Sequence, residues 1–244
     1  VGRVGASELA AVGFGGVWLW TLTCGFVGTA TGVQTFVSQF HGAGEPGRCG
    51  HFAWQGLYAV IPAALLAALA LLLGAAPFLS LLGASPTLQP LAVDYMSARI
   101  PGSLAVCAAT AFVSFFRGVG DTRTPLYATL FANILNAVLS YGLIFGRLGL
   151  PQWGVAGAGT ATAISEWVYA GLLLWAFQRP HARTHFGSRW QPPDLVTMRR
   201  LLRLGVPVGG QWLLEMLSFS VFLVLVARMG DVSMAASQAF VALL

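Results

Sequence analysis

Residues 125–146 read PLYATLFANILNAVLSYGLIFG, a run with no charged side chain. About 20 apolar residues in a helix span the hydrocarbon of a bilayer, so this run is long enough to cross it once. Within it Asn133, Asn136 and Ser140 fall at i, i+3 and i+7, which puts three polar groups on one helix face. Similar uncharged runs occupy residues 9–40, 52–82 and 100–116. Runs 154–177 and 204–227 each carry one carboxylate, Glu166 and Glu215, and a further run begins near Val232. A chain that is 57% hydrophobic and 9% charged, with mean hydropathy +0.75, has more apolar surface than one soluble core of this length can bury. The expected fold is all-α, a polytopic transmembrane helix bundle with about seven spans.

The phrase Val1-x-Arg3-x-Gly5 followed by Ala10-Ala11 returns as Val226-x-Arg228-x-Gly230 followed by Ala235-Ala236. Six long apolar runs separate the two copies, and an even number of crossings returns a chain to the side it left. The copies therefore share one orientation, as in carriers built from parallel repeats about an axis along the membrane normal. The sequence reads as a piece of a longer design of two parallel six-helix lobes. It is expected to hold spans two to six of the first lobe over residues 1–178, a basic inter-lobe linker at 179–203, and the start of the second lobe at 204–244.

Arginine distribution predicts the orientation. Arg48, Arg117, Arg123, Arg179, Arg183, Arg189, Arg199, Arg200 and Arg203 fall on one side of the spans, against Arg3, Arg99, Arg147 and Arg228 on the other. The positive-inside rule places the richer set in the cytoplasm and the chain in the cell (inner) membrane as a multi-pass protein. Because the arginines sit between spans, the pI near 9.6 does not make a nucleic-acid surface. Cys24, Cys49 and Cys107 lack metal-ligand spacing and read as small apolar free thiols. His181 and His185, at i and i+4, lie in a proline-bearing basic loop without a matching carboxylate motif, and Gly13-x-Gly15-Gly16 lies inside an apolar run with no preceding strand. No Ser/His/Asp, HExxH or paired-carboxylate constellation falls at one membrane level, so an enzyme is not expected, nor a cofactor.

Turn chemistry sets the expected helix limits. Thr124 is placed to cap a helix whose first residue is Pro125, and Gly205-Val206-Pro207 to start the span that follows the linker. Pro62 should bend or break its span. Small residues at four-residue spacing, Gly28/Gly32 and Gly157/Ala161, permit close helix approach.

Glu166 and Glu215 each lie about halfway along their runs. A carboxylate at mid-membrane costs about 2.5 to 3.5 kcal/mol on insertion scales, so it must be neutral, paired or in a wet cavity. A group that loads and releases a cation or proton there is what an ion-coupled carrier needs; the alternative is a structural hydrogen bond to a neighbouring helix. Counting from the span centres sets Ser140 level with Thr162 and Asn136 level with Glu166. Such a cluster suits a small cation or a proton relay, or equally interhelical packing worth about 0.6 kcal/mol per hydrogen bond.

The run Arg117-Gly118-Val119-Gly120-Asp121-Thr122-Arg123-Thr124-Pro125-Leu126, then Asn133-x-x-Asn136-x-x-Leu139, Leu143-Ile144-Phe145-Gly146 and Gly154-Val155-Ala156-Gly157-Ala158-Gly159-Thr160-Ala161-Thr162, resembles the multidrug and toxic compound extrusion (MATE) family, in its NorM-like branch. Leu204-Gly205-Val206-Pro207 followed by Glu215 resembles the start of that family's second lobe. The resemblance implies a monomeric carrier that exports amphipathic, often cationic compounds in exchange for protons or sodium ions. It implies a cation site at Asn136, Ser140 and Thr162 beside an acidic residue of the first span, and a coupling role for Glu215. Many members carry Asp where this chain has Ser140, which bears against a sodium site; from its counted level, Glu166 is expected to restore the missing charge. The rival reading is a lipid-linked saccharide flippase of the same superfamily, which would show an arginine-lined cavity, and a third is a membrane scaffold.

Overall fold

A computed structural model of the chain describes residues 5–81 and 88–228. The ends that carry the repeated phrase, and the run beginning near Val232, lie largely outside these. Among the described residues the elements are α1 (Ala6–Gly42), a 3-10 turn (Pro46–Arg48), α2 (Cys49–Leu81), α3 (Leu88–Gly118), α4 (Arg123–Phe145), α5 (Gly154–Phe177), the short α6 (Pro180–His185) and α7 (Leu195–Arg228). By length and composition α1 to α4 can each cross a membrane. The 24 residues of α5 and the 34 of α7 match them in length and carry the two mid-span carboxylates.

α3 runs through the centre, with α1, α2 and α5 packed around it; α4 rests on α5, and α7 on α1 and α2. Glycine sets the closest approaches. A methyl group at Gly28 would stand 2.8 Å from Gly209 Cα, and one at Gly32 would stand 3.2 Å from Gly205 Cα. The predicted small-residue face of α1 is therefore the seat of α7, where backbones meet without side chains between them. Gly157 does the same for α5, since a methyl there would lie 2.6 Å from the Leu143 carbonyl oxygen.

Two helix limits differ from the sequence reading. α4 starts at Arg123, and its cap is Asp121: Oδ1 accepts from the backbone N–H groups of Arg123 (3.1 Å) and Thr124 (3.0 Å), while Oδ2 accepts from the Thr124 hydroxyl (2.6 Å). Thr124 is thus held by the cap instead of supplying it, because a carboxylate meets several orphan donors where one hydroxyl meets one. Asp121→Ala should lower stability by about 1 kcal/mol, read as a lower melting temperature in detergent with the fold otherwise intact. α7 does not begin at Pro207 but runs through it. The missing N–H frees the carbonyl of Arg203, an exposed residue at the polar end of the bundle, where water can satisfy it. Pro62 likewise leaves α2 unbroken from Cys49 to Leu81.

The loops expected on one side do meet. Gly50 N–H donates to the Phe186 carbonyl at 2.8 Å, joining the α1–α2 turn to the segment before α7, and the Phe115 and Phe186 rings sit 5.6 Å apart, bringing in the end of α3. The span between residues 179 and 203 is α6, an extended stretch, and then the first turns of α7. His181 and His185 stack on each other at 5.5 Å instead of opening toward a shared ligand. Gly15 packs against Tyr95 and Met96 of α3, and Cys24, Cys49 and Cys107 are free and buried.

Candidate functional site

A cavity of about 570 Å³ opens between α1, α3, α4 and α5. Its polar wall includes Asn133, Asn136, Thr162, Ser165 and Glu166, with Arg117 of α3 also lining it, and Trp212 reaches it from α7. Asn136 Nδ2 donates to Thr162 Oγ1 at 3.2 Å, and the Thr162 hydroxyl donates in turn to the Ala158 carbonyl at 2.9 Å. Two helical turns along, the Thr129 hydroxyl donates to the Tyr169 hydroxyl at 3.1 Å. These two bonds fix the register of the antiparallel pair. Asn136, not Ser140, is level with Thr162, and the position level with Glu166 is Ala132, next to Asn133, rather than Asn136.

Counting from the ends of the apolar runs was in error by about one turn. α4 begins ahead of Pro125, and the loop folds back so that Trp153 N–H donates to the Leu143 carbonyl at 2.8 Å, setting the start of α5 against the last turns of α4. Ser140 is half-buried and does not line the cavity, so the structure brings together Asn133, Asn136, Thr162 and Glu166 and leaves Ser140 aside.

Glu166 is a paired group. Arg99 Nη1 donates to its Oε2 at 2.5 Å, with the two side chains 18% and 17% exposed. The sequence had placed Arg99 with the loops; it lies inside α3, whose helix starts well before the apolar run at residue 100. Gly102 makes the room, since a methyl there would overlap the Glu166 carboxylate and stand 2.8 Å from Ala163 Cα. Trp167 Nε1 closes the junction from outside by donating to the Pro101 carbonyl at 3.1 Å. The charge of Glu166 is thus balanced by α3 and is not free to replace a carboxylate missing at Ser140.

Glu215 is placed differently. It is exposed on α7 in an open cleft with Pro207, Gly210, Gln211, Leu214 and Ser218, and Gln211 Nε2 donates to its Oε1 at 2.9 Å. No cation pairs with it among the described residues. It does not share the α4–α5 cavity; α7 offers Trp212 to that cavity and Glu215 to another surface. A separate apolar space of about 530 Å³ lies between α1, α2, α3 and α7, lined mainly by Leu, Ala and Val.

The described residues thus form a polytopic helix bundle of the membrane-carrier type, closely packed through glycine and holding polar side chains at mid-depth. The chain belongs to the MATE family, whose MatE model matches residues 1–142. It is 29% identical over 215 residues to the probable multidrug resistance protein NorM of Thermotoga maritima, covering 86% of this chain and 45% of that protein. It is 28% identical over 240 residues to the multidrug resistance protein PmpM of Pseudomonas aeruginosa, covering 97% of this chain and 50% of that one. The fold matches the crystal structure of the Vibrio cholerae MATE transporter VcmN in its bent form with TM-score 0.81 at 24% identity, over 98% of this chain and 53% of that one. The chain spans about half the length of the curated relatives it matches.

Proposed function

We propose that the chain is part of a secondary active multidrug efflux antiporter, a carrier and not an enzyme, that exports amphipathic organic cations in exchange for protons or sodium ions. The observation that carries this reading is the contrast between the two mid-span acids: Glu166 is balanced by Arg99, while Glu215 stands in an open cleft and, among the described residues, meets the neutral amide of Gln211 and no cation. A carboxylate in such a position attracts a small cation and an organic cation alike. Each then weakens the binding of the other by the same factor, and that reciprocity is the basis of exchange. The NorM and PmpM relatives are named as multidrug resistance proteins, which supports drug export.

Asn136 and Thr162, with Asn133 beside them, form a second polar station able to hold a small cation or relay a proton. Rocking of two lobes about a midplane cavity, with the arginine-rich end in the cytoplasm of the cell (inner) membrane, would alternate access. Exchange of two ions for one monovalent drug can also draw on the membrane potential, about 2.3 kcal/mol per charge per 100 mV. A saccharide flippase would require arginines facing the cavity, whereas among the described residues Arg117 is the one arginine lining it and Arg99 is held by Glu166.

The test is efflux of a fluorescent organic cation from vesicles carrying the intact transporter, with proton and sodium gradients imposed separately. Dye should move out under at least one of them. Absence of movement under both would end the antiporter reading.

A further inference from the structure

We infer that His51 closes a proton-sensitive latch that fastens the segment between the lobes onto α2 at the arginine-rich end of the bundle. His51, Trp54, Gln55 and Tyr58 fall at i, i+3, i+4 and i+7 and so form one face of the first turns of α2. All four side chains are bonded to residues 188–194. Trp54 Nε1 donates to the Ser188 carbonyl (3.2 Å) and the Tyr58 hydroxyl to the Gln191 carbonyl (2.9 Å). Gln55, fully buried, donates through Nε2 to the Pro192 carbonyl (2.9 Å) and accepts through Oε1 from Asp194 N–H (2.7 Å). The segment is therefore docked backbone first, by a row of side chains with no other evident task.

His51 differs from the other three because its bonds depend on its protonation. Gln191 Nε2 donates to the Gly187 carbonyl at 3.2 Å, which turns Gln191 Oε1 toward the ring, 2.6 Å from His51 Nδ1. That oxygen only accepts, so Nδ1 carries the proton. The other ring nitrogen, Nε2, lies 3.6 Å from Asp194 Oδ2. A neutral ring with its proton on Nδ1 presents a lone pair to that carboxylate, whereas the imidazolium presents N–H to both acceptors.

Asp194 stays charged across the neutral range. The Thr197 hydroxyl, the Val196 N–H and the nearby His51 ring hold its carboxyl below the usual carboxylate range. The ring is therefore the group whose proton decides the bonding, since only its charged form donates to both acceptors. Around it, Glu45 and Arg48 of the 3-10 turn are paired with each other at 2.9 Å, and His181 and His185 of α6 stack on one another and on Phe186. Asp194 is the charged side chain set against it. The sign follows: the latch is closed when His51 is protonated and loosens as pH rises.

Asp194 also caps α7, the helix that carries Gly205, Gly209 and Glu215. Protonation at the cytoplasmic face thus restrains the first helix of the second lobe where it leaves the linker. Resting on the antiporter reading, the latch slows exchange when the cytoplasm turns acid and the inward proton gradient shrinks.

The test reads the latch without transport. Arg189 is exposed within the docked segment, so trypsin cleavage there, in vesicles with the linker side outward, reports its release. Against a peptide of residues 187–192 as the reference for the protease's own pH dependence, the wild-type cleavage rate should rise about threefold or more from pH 6 to pH 8. His51→Gln should cleave at the fast rate at both values. Gln191→Glu, which places a carboxylate on the Nδ1 side, should move the rise to higher pH. A wild-type rate indifferent to pH, or an unchanged pH response in His51→Gln, overturns the proposal. Gln191→Glu decides the matter if His51→Gln does not insert. Failure of the antiporter reading would appear separately, as absent dye efflux with the cleavage response intact.

Discussion

Arg99→Met or Glu166→Gln alone should strongly destabilise the bundle, by about 3 to 5 kcal/mol, and the two together should recover most of the loss. Both side chains are more than four-fifths buried, and each is the other's recorded counter-charge. Removing one leaves a bare charge between α3 and α5, while removing both leaves two neutral groups in a space that Gly102 and Ala163 have already shaped. Melting in detergent of the two single variants and the double variant closes the thermodynamic cycle; losses that simply add would show that the pair does not act as a unit. The same double variant separates two roles for Glu166. If it folds and still drives efflux, Glu166 serves the ion pair. If it folds and carries nothing, Glu166 takes part in coupling, as its place in the cavity wall beside Asn133 allows.

The long uncharged runs became helices because nothing inside them competes with intrahelical hydrogen bonds in an apolar solvent. Gly28 and Gly32 could likewise be read as a packing face, although nothing in their spacing said that Gly205 and Gly209 would meet them. What failed was level and charge. Matching spans by their centres assumes that helices end where apolar runs end, but Asp121 starts α4 before its apolar run and α3 reaches back from residue 100 to Leu88. Arg99 was assigned to a loop for the same reason. The signal was present: Glu166 needed a partner, and Arg99 stands one residue ahead of a neighbouring run. The row His51, Trp54, Gln55 and Tyr58 was equally visible as one helix face, but its partners lie more than 130 positions away in sequence, a pairing that only the folded chain reveals.

Glu215→Gln should leave insertion and melting near wild type and reduce gradient-driven efflux by at least about tenfold, equivalent to about 1.4 kcal/mol. The substitution keeps the shape of the side chain and an oxygen for the Gln211 amide, so the local hydrogen bond at 2.9 Å can persist. Only the charge is lost. No charged side chain among the described residues pairs with Glu215, so neutralising it strands none of them, in contrast to the Arg99–Glu166 junction. The expected pattern is therefore an intact protein without exchange. Glu215→Asp, which keeps the charge on a shorter stem, should retain part of the activity. On the proposed competition of drug and ion for one carboxylate, Glu215→Gln should also abolish the displacement of bound dye by protons or sodium ions, a readout that needs no gradient. Full efflux with normal displacement in Glu215→Gln would move the coupling site elsewhere and leave the polar station of Asn136 and Thr162 to carry it.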